Sequence, residues 1–371
     1  MKILYVTVLP SSMNFFVMHI RTLINNGYDV GLACNTDYGT INPIFEQMGC
    51  KIHTIHFKRS IKGLLDLTPQ KELIDLLREE KYDIVNTNMP TSSFVTRLAC
   101  KKLRKTGLKV VYTVHGFHFF KGSPFINWLI FYPMEKILSR YTDYIITINK
   151  EDYYLSTKKM HCKTFYIPGV GVDTNRFKNI KINKTNFLNQ LGIKDDRYIC
   201  LSIGELCPRK NHKTIIKAMK YVKTNTILLI AGEGYLKEKL TKLIKKEKLE
   251  DKVFLLGFRR DVEQLYGMAD IFLLPSVREG LGLVSIEAMA SSKPLITSNV
   301  NGIKDYMIDG VTGFMCNPQS KKSFANKIDF LLNNDSIYNS ISKYNSIACE
   351  SFNNDKSCKE LLKIMNIVSG K

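Results

Sequence analysis

Short apolar runs alternate with segments of helical periodicity along this chain, and that alternation restricts its fold more than any other feature. A strand–helix–strand order favours a parallel sheet with helices on its faces. The pattern occurs twice. The predicted strands are 2–9, 28–34, 83–87, 109–114 and 144–148 in the first half, and 197–203, 226–231, 252–256, 270–274 and 294–297 in the second. The sequence therefore predicts two doubly wound, Rossmann-like α/β domains.

The length of 371 residues suits two separate hydrophobic cores. A turn region rich in Pro and Gly, at 167–173, separates the two halves. We therefore predict one domain over 1–167, a second over 168–345, and a helical segment over 346–371. Two such domains facing each other would form a cleft at the carboxyl ends of both sheets, where folds of this kind bind ligands.

Composition limits the classes of partner and compartment. The 54 Lys and Arg residues exceed the 34 Asp and Glu residues by 20, which favours anionic partners. No motif that reads RNA or DNA accompanies this charge, so nucleic acid is not expected as a partner. The nine Cys residues lack metal-ligand spacing and are typical of buried thiols in a reducing cytoplasm. No apolar run approaches the roughly 20 residues of a membrane-spanning helix.

The segment 275–290 carries the most informative motif. It follows an apolar strand, passes through a loop that contains Gly280 and Gly282, and opens a helix. Glycines let the backbone approach a ligand, and the free N–H groups at the start of the helix can hold a phosphate. Glu279 lies in the loop, and Glu287 lies in the first turns of the helix, where a carboxylate can accept hydrogen bonds from two adjacent hydroxyls, as on a ribose. Taken alone, either acid could equally be a solvated surface group.

Two further segments follow predicted strands. The first, 204–212, reads Gly-Glu-Leu-Cys-Pro-Arg-Lys-Asn-His and places Arg209 beside Lys210. The second, 112–122, places His115 at the carboxyl end of a strand and before Gly116. Taken alone, an Arg-Lys pair is more often solvated surface charge and a single histidine is more often structural, although a histidine at a strand end would face the predicted cleft.

The Glu-x7-Glu arrangement at Glu279 and Glu287 resembles the retaining glycosyltransferases of family 4, and the resemblance covers most of the chain. It implies the two-domain GT-B fold and transfer of a sugar from a nucleotide diphosphate. The second Glu would bind the ribose, the first would lie near the donor sugar, and the intervening amides would hold the diphosphate. By resemblance the donor-binding residues are Gly204, Arg209, Lys210, Gly232, Gly234, Arg259, Gly280, Leu281, Gly282, Leu283, Val284 and Glu287.

The resemblance also assigns catalytic and acceptor residues. The expected catalytic residues are His115, Lys210 and Glu279, and the expected acceptor-binding residues are Ser12, Asn14, His115, Gly116, Phe117 and His118. Two positions depart from the family pattern. Glu205 stands where many members have Arg, which leaves open whether Arg209 replaces it, and the loop 10–15 lacks the paired glycines frequent there.

The implied reaction needs no cofactor. The acceptor hydroxyl would attack from the side of the leaving group, and the leaving phosphate oxygen would take its proton. No Asp-x-Asp pair occurs in the chain, and Lys210 with the helix amides would neutralise the diphosphate, so we expect metal independence. UDP is the expected nucleotide, by family frequency. The segments 115–153 and 168–173 resemble a subgroup associated with capsule, exopolysaccharide and lipid-linked glycan assembly.

An aromatic segment and a basic segment suggest contact with a membrane surface. The apolar residues are Phe117, Phe119, Phe120, Phe125, Trp128, Leu129, Ile130, Phe131 and Tyr132, and the basic ones are Arg97, Lys101, Lys102, Arg104, Lys105 and Lys109. A packed core helix and a solvated face would explain them equally simply. Together they suit an acceptor domain that touches anionic lipid. We expect a cytoplasmic protein at the inner face of the cell membrane, acting on a lipid-linked glycan.

Two other functions stay open from the sequence. The chain could bind a nucleotide sugar without turnover, which Glu205 in place of Arg would favour, or it could be a nucleotide-sugar epimerase of the same fold. The Glu279 to Glu287 loop speaks against the epimerase. The motifs do not identify the donor sugar, the acceptor, the linkage or the oligomeric state.

Overall fold

The computed structural model describes residues 1–60, 63, 66–193 and 197–371 and divides into two compact units. The first unit contains Met1–Gly171 and Asn354–Lys371, and the second contains Val172–Asn353. The sequence places the corresponding boundaries after 167 and after 345. The segment that returns to the first unit therefore starts eight residues beyond the predicted position.

Each unit is built on one parallel sheet. In the first unit the described strands are β1 (Lys2–Val6), β2 (Asp29–Cys34), β3 (Lys51–Thr54), β4 (Ile84–Asn88), β5 (Lys109–Val114), β6 (Tyr144–Thr147) and β7 (Lys163–Tyr166), in the order β3-β2-β1-β4-β5-β6-β7. In the second they are β8 (Tyr198–Ile203), β9 (Thr226–Ala231), β10 (Val253–Gly257), β11 (Ile271–Leu274), β12 (Leu295–Ser298) and β13 (Gly313–Cys316), in the order β10-β9-β8-β11-β12-β13.

The ten predicted strands are all present, and the described residues form three further strands at sheet edges. These are β3, β7 and β13, each of four residues. An edge strand has a neighbour on one side only, so it does not need the continuous apolar run of a central strand. The strands β3 and β7 mix polar and apolar residues and stay partly exposed, which is why hydrophobic runs did not predict them.

Helices cover both sheets. They are α1 (Pro10–Met13), α2 (Val17–Asn25), α3 (Ile44–Gln47), α4 (Thr68–Glu80), α5 (Pro90–Leu103), α6 (Phe125–Leu138), α7 (Lys150–Lys159), α8 (Lys184–Gln190), α9 (His212–Ala218), α10 (Lys237–Glu247), α11 (Val262–Met268), α12 (Leu283–Ala290), α13 (Lys321–Leu332), α14 (Asp335–Ala348) and α15 (Asn354–Ser369). The predicted helix over 12–26 is interrupted by a 3₁₀ turn at Asn14–Phe16. Within the described ranges, no helix has both the length and the hydrophobicity needed to cross a bilayer.

A buried ion pair joins α5 to α6 in the first unit. Arg97 is fully buried and donates a hydrogen bond of 2.7 Å to Glu135, while its guanidinium lies 4.2 Å from the centre of the Tyr112 ring. Burial of both charges is tolerated because they neutralise each other, and the Ser93 carbonyl accepts a further hydrogen bond from Arg97 Nε at 3.1 Å. Sequence analysis placed Arg97 among basic residues that would meet anionic lipid or solvent. For Arg97 both interpretations were wrong, because its side chain is buried in the core of its unit against α6.

We expect Glu135→Leu to lower the free energy of unfolding by about 3–5 kcal/mol, because it leaves the Arg97 charge buried and unpaired. The double variant Arg97→Met with Glu135→Leu should regain most of this loss. Urea unfolding can follow the fluorescence of Trp128, the single tryptophan of the chain, which lies on α6. A single variant that unfolds at the same urea concentration as the parent would contradict the stabilising role of the pair.

Candidate functional site

The loop after β11 enters α12 through Gly282. This residue has a φ of +83°, and a Cβ added to it would lie 3.1 Å from both the Leu274 side chain and the Tyr306 hydroxyl. Backbone conformation and crowding therefore both require glycine here. The first N–H groups of a helix have no partner within the helix. The N–H groups of Leu283 and Val284 lie in the first turn of α12, where the sequence predicts an anion site.

Glu279 forms a buried charge cluster with the loop after β8. Its carboxylate accepts hydrogen bonds from Lys210 Nζ at 2.7 Å, from the Arg209 guanidinium at 3.1 Å and from the Ser276 hydroxyl at 2.7 Å. Burial alone would raise the pKa of Glu279, but the charges of Lys210 and Arg209 and these hydrogen bonds outweigh it and lower the pKa below its usual value. Glu279 is therefore ionised at neutral pH and is not a solvated surface acid.

Arg209 brings a second positive charge to this cluster, and Glu205 does not take part in it. Arg209 retains 37% exposure of its side chain and reaches Glu279, whereas Glu205 lies exposed at the surface. Two cations and one carboxylate leave a formal charge of +1 beside the start of α12. This arrangement can attract an anion while keeping its own carboxylate satisfied.

Backbone contacts tie the loop after β8 to the loop after β11. The Val277 N–H donates to the Arg209 carbonyl at 2.9 Å, and the Asn211 amide donates to the carbonyls of Pro275 and Pro318 at 3.0 and 2.7 Å. These hydrogen bonds join residues more than sixty positions apart in the sequence. They hold Lys210 and Glu279 at a fixed separation, which a site for a charged ligand requires.

Asn301 and Gly302 support the loop from the other side. The Glu279 N–H donates to Asn301 Oδ1 at 3.1 Å. A Cβ added to Gly302 would lie 1.8 Å from the carbonyl oxygen of Gly280, so only glycine permits this contact. Sequence analysis missed Asn301 and Ser276. Both lie just beyond predicted strands, so the rule that ligand sites form at the carboxyl ends of strands could have indicated them.

Glu287 is held by a tyrosine that the sequence did not indicate. The single hydroxyl proton of Tyr266 on α11 is shared between Glu287 Oε2 at 2.7 Å and the Val284 carbonyl at 2.9 Å. Burial raises the pKa of Glu287, although the Tyr266 hydrogen bond and the charges of Arg176 and Lys210 act in the opposite direction. Its Oε1 accepts no hydrogen bond from the described residues. One carboxylate oxygen is thus oriented by protein, and the other can accept from a ligand.

The predicted glycines after β8 and β9 serve close packing. A Cβ on Gly232 would lie 2.0 Å from the Gly204 carbonyl oxygen, and a Cβ on Gly234 would lie 2.6 Å from that of Leu206. The Lys210 side chain runs beside Gly204, where a Cβ would lie 3.1 Å from it. These glycines therefore let two loops meet and position Lys210. Whether they also contact a nucleotide stays a prediction.

Arg259 lies in the loop after β10 and is engaged within the protein. Its guanidinium donates two hydrogen bonds to Asp261, at 2.9 and 2.6 Å, and lies 5.8 Å from the centre of the Phe187 ring. The structure does not bring Arg259 into the cluster around Glu279. Its predicted contact with the donor would require it to share or to exchange these partners.

In the first unit, His115 lies at the end of β5 and hydrogen-bonds Asn88 at the end of β4, with 3.0 Å between His115 Nε2 and Asn88 Oδ1. The Asn88 Nδ2 group faces the carbonyls of Asn86 and Val6, so its oxygen must face the imidazole. His115 consequently carries its proton on Nε2 and presents Nδ1 as an acceptor. Burial lowers the pKa of His115 to about 4.

The other predicted acceptor residues lie in different surroundings. Phe117 is buried and stacks on Phe119 with 4.8 Å between ring centres, so its side chain packs in the core of the unit. The His118 ring stacks on Phe131 at 4.6 Å. Asn14 is exposed and accepts a hydrogen bond from Asn42, while Ser12 is half-buried on α1. Gly116 has a φ of +113°, which lets the chain turn away directly after His115.

Two family models match the chain. The model described as "Glycosyl transferases group 1" matches residues 183–347, and the model described as "Glycosyl transferase 4-like" matches residues 2–149. A putative glycosyltransferase, EpsD of Bacillus subtilis, is 34% identical over 77% of this chain and 81% of its own length. A UDP-Gal:alpha-D-GlcNAc-diphosphoundecaprenol alpha-1,3-galactosyltransferase of Escherichia coli is 29% identical over 88% of this chain and 86% of its own.

Solved structures share the fold. HepE of Anabaena in complex with UDP-glucose superposes with a TM-score of 0.81 at 20% identity, covering 99% of each chain. WaaG, a glycosyltransferase involved in lipopolysaccharide biosynthesis, superposes with a TM-score of 0.76 at 18% identity, covering 100% of each chain. The two Rossmann-like units therefore have the GT-B fold that the sequence predicts.

We expect nuclear magnetic resonance of the imidazole nitrogens to show His115 neutral at pH 7, protonated on Nε2, with a titration midpoint near 4. Because this pKa lies below the unfolded value of about 6.5, the stability contributed by neutral His115 is lost as pH falls from about 6.5 towards 4. Asn88→Asp should raise the midpoint, since a carboxylate favours the imidazolium. A midpoint near 6.5 in the parent protein would refute the assignment.

Proposed function

Because the chain belongs to the group 1 glycosyltransferases, we propose that it transfers a hexosyl or N-acetylhexosaminyl residue from a UDP-sugar with retention of anomeric configuration. The proposed acceptor is a glycan linked to a polyprenyl diphosphate, and the product is a bacterial surface polysaccharide. The similarity to a galactosyltransferase whose name specifies a diphosphoundecaprenol acceptor supports this choice. The likeness to a chain that binds UDP-glucose is consistent with the choice of nucleotide.

One observation carries the donor half of the proposal: Lys210 and Arg209 converge on buried Glu279 in the loop that opens α12. A diphosphate placed at the start of α12 would meet two cations and the N–H groups of the first turn. Transfer builds negative charge on the leaving phosphate, and cations already fixed in position stabilise that charge without reorganising. Glu279 in turn keeps both cations oriented.

Glu287 supports the nucleoside half of the donor site. Tyr266 fixes one oxygen of its carboxylate, and the other is available to the ribose hydroxyls. The raised pKa of Glu287 reflects the cost of burying a charge next to a single phenol donor. Two ribose hydroxyls would supply the missing hydrogen bonds, so binding of a nucleoside would relieve this cost.

In the proposed reaction, a bond from the anomeric carbon to the acceptor oxygen replaces its bond to the diphosphate. The acceptor hydroxyl attacks from the side of the leaving group as the bond to the diphosphate breaks, and the hydroxyl proton moves to the departing phosphate oxygen. His115 stays neutral and offers Nδ1 as a hydrogen-bond acceptor to a hydroxyl of sugar or acceptor. The charges of Lys210 and Arg209 make a divalent metal unnecessary in this scheme.

The location follows from the proposed acceptor. A polyprenyl diphosphate is embedded in the membrane, so we propose that the chain works in the cytoplasm at the inner face of the cell membrane. The excess of 20 positive charges favours an anionic lipid surface. No membrane-spanning segment is needed for this contact, since an amphipathic surface and basic side chains suffice.

The proposal is tested by offering UDP-, GDP- and ADP-sugars with a polyprenyl-diphosphate sugar in the presence of EDTA and following products by mass spectrometry. We expect turnover with a UDP-sugar, undiminished by EDTA, and a product with the anomeric configuration of the donor. Activity restored only by a divalent cation would refute metal independence. Tight donor binding by folded protein without turnover on any acceptor would instead favour a binding protein.

We expect Lys210→Met to lower kcat by about 10²- to 10³-fold, because it removes a fixed positive charge from the leaving phosphate. The affinity for UDP should fall less, since Arg209 and the helix amides remain. Lys213→Met is the matched control, because Lys213 is exposed on α9 and lies three residues away. Equal kcat values for the two variants would exclude the proposed role of Lys210.

A further inference from the structure

Helix α6 has an inner and an outer face, and the residues of the aromatic segment are distributed between them. Trp128, Phe131 and Tyr132 pack against the core around Tyr112, Phe117 and Phe119, and Leu138 is also buried. The opposite face is apolar as well but exposed. Its residues are Phe125, Ile126, Leu129, Ile130 and Ile137, each at least half exposed.

The exposed residues form one continuous stripe. In a helix of 3.6 residues per turn, positions 125, 129, 133 and 137 lie above one another, and 126 and 130 lie beside them. Position 133 is an exposed proline, so the stripe stays free of polar side chains along this line. Phe125 is 79% exposed and Leu129 is 60% exposed. An apolar surface of this kind is costly in water and marks a contact site.

The charges around the stripe are basic. Lys121, Lys136 and Arg140 are exposed, and none of them makes an ion pair with the residues that the structure describes. Lys136 falls on the same side of the helix as Leu129. The single acidic residue of α6, Glu135, is buried on the inner face and neutralised by Arg97. The Glu151 carboxylate lies next to this surface and accepts a hydrogen bond from the Lys121 N–H at 2.7 Å, so one acid stands beside three basic side chains. The outer face therefore presents aliphatic and aromatic side chains flanked by a net positive charge.

This composition fits a lipid surface better than a protein partner. The buried centres of protein interfaces are depleted in lysine and enriched in arginine and aromatic residues. A helix that lies in a membrane interface instead combines an apolar face with flanking Lys and Arg, which meet anionic headgroups. The packed inner face would keep α6 folded at the surface, so no refolding is needed for the outer face to insert.

We propose that the outer face of α6, comprising Phe125, Ile126, Leu129, Ile130, Pro133 and Ile137, inserts into an anionic lipid bilayer and anchors the first unit there. The inference names the surface for the membrane contact proposed above. It does not depend on turnover, because the helix face would bind lipid with or without a donor. The fixed attachment of α6 through Arg97 and Glu135 would transmit the anchorage to the sheet that carries His115.

Sedimentation with vesicles tests the proposal on the full chain without donor or acceptor. Vesicles of phosphatidylglycerol and phosphatidylcholine should bind the chain, and vesicles of phosphatidylcholine alone should bind it much less. Leu129→Ser with Ile130→Ser should lower partitioning at least about tenfold, because each apolar side chain contributes more than about 1.4 kcal/mol when it leaves water. The matched control is Ile347→Ser on α14, where Ile347 is 67% exposed.

Two variants, each with a single tryptophan, locate the contact. Trp128→Phe with Leu129→Trp places the reporter on the outer face of α6, and Trp128→Phe with Tyr344→Trp places it on exposed α14. Brominated lipids should quench the first reporter and leave the second unchanged. Thermal unfolding of each variant shows that loss of binding does not come from loss of fold. Quenching of both reporters alike, or of neither in bound protein, would overturn the proposal.

The outcomes separate this inference from the proposed enzyme activity. A parent chain that ignores anionic vesicles, or a Leu129→Ser, Ile130→Ser variant that binds them as tightly, overturns the docking surface even if turnover occurs. Self-association of the parent that the same variant abolishes would assign the face to a second copy of the chain and also overturn it. Conversely, vesicle binding with no transfer to a detergent-solubilised acceptor would count against the proposed function alone.

Discussion

Glu279 is a buried, negatively charged side chain, and the geometry of the proposed donor site follows from how that charge is satisfied. A buried carboxylate without partners would be strongly destabilising. Lys210, Arg209 and Ser276 supply the hydrogen bonds, and the Glu279 backbone is itself held by Asn301. The same interactions that make burial tolerable also fix two cations beside the start of a helix.

The parallel sheets explain why these side chains can meet. In each unit the loops at the carboxyl ends of neighbouring strands lie side by side, so residues distant in sequence become neighbours. Lys210 and Glu279 follow β8 and β11, which are adjacent in the sheet, and Asn88 and His115 end β4 and β5, which are adjacent as well. Glycines at 232 and 302 then allow backbone contacts closer than any other residue permits.

Hydrophobic patterning predicted the central strands and the two-domain organisation, because buried parallel strands need continuous apolar runs. It failed where burial is partial, as in β3 and β7, and where a charge is buried, as in Arg97. Motif spacing indicated Glu279, Glu287, Lys210 and His115, because they lie in or next to glycine-containing loops that directly follow predicted strands. It did not indicate Tyr266, because a tyrosine on an amphipathic helix looks like an ordinary core residue.

The sequence by itself determined the fold class and the family and indicated the charged residues of the proposed site, since these depend on local patterns of apolar residues, glycines and strand ends. Only the tertiary structure decided the partner of each charge, the tautomer of His115 and which half of the aromatic segment is exposed. The physical reason is that hydrogen bonds and burial depend on distances between residues far apart in the chain. Local periodicity specifies which way a side chain faces on its own element, whereas the packing of elements specifies what it meets there.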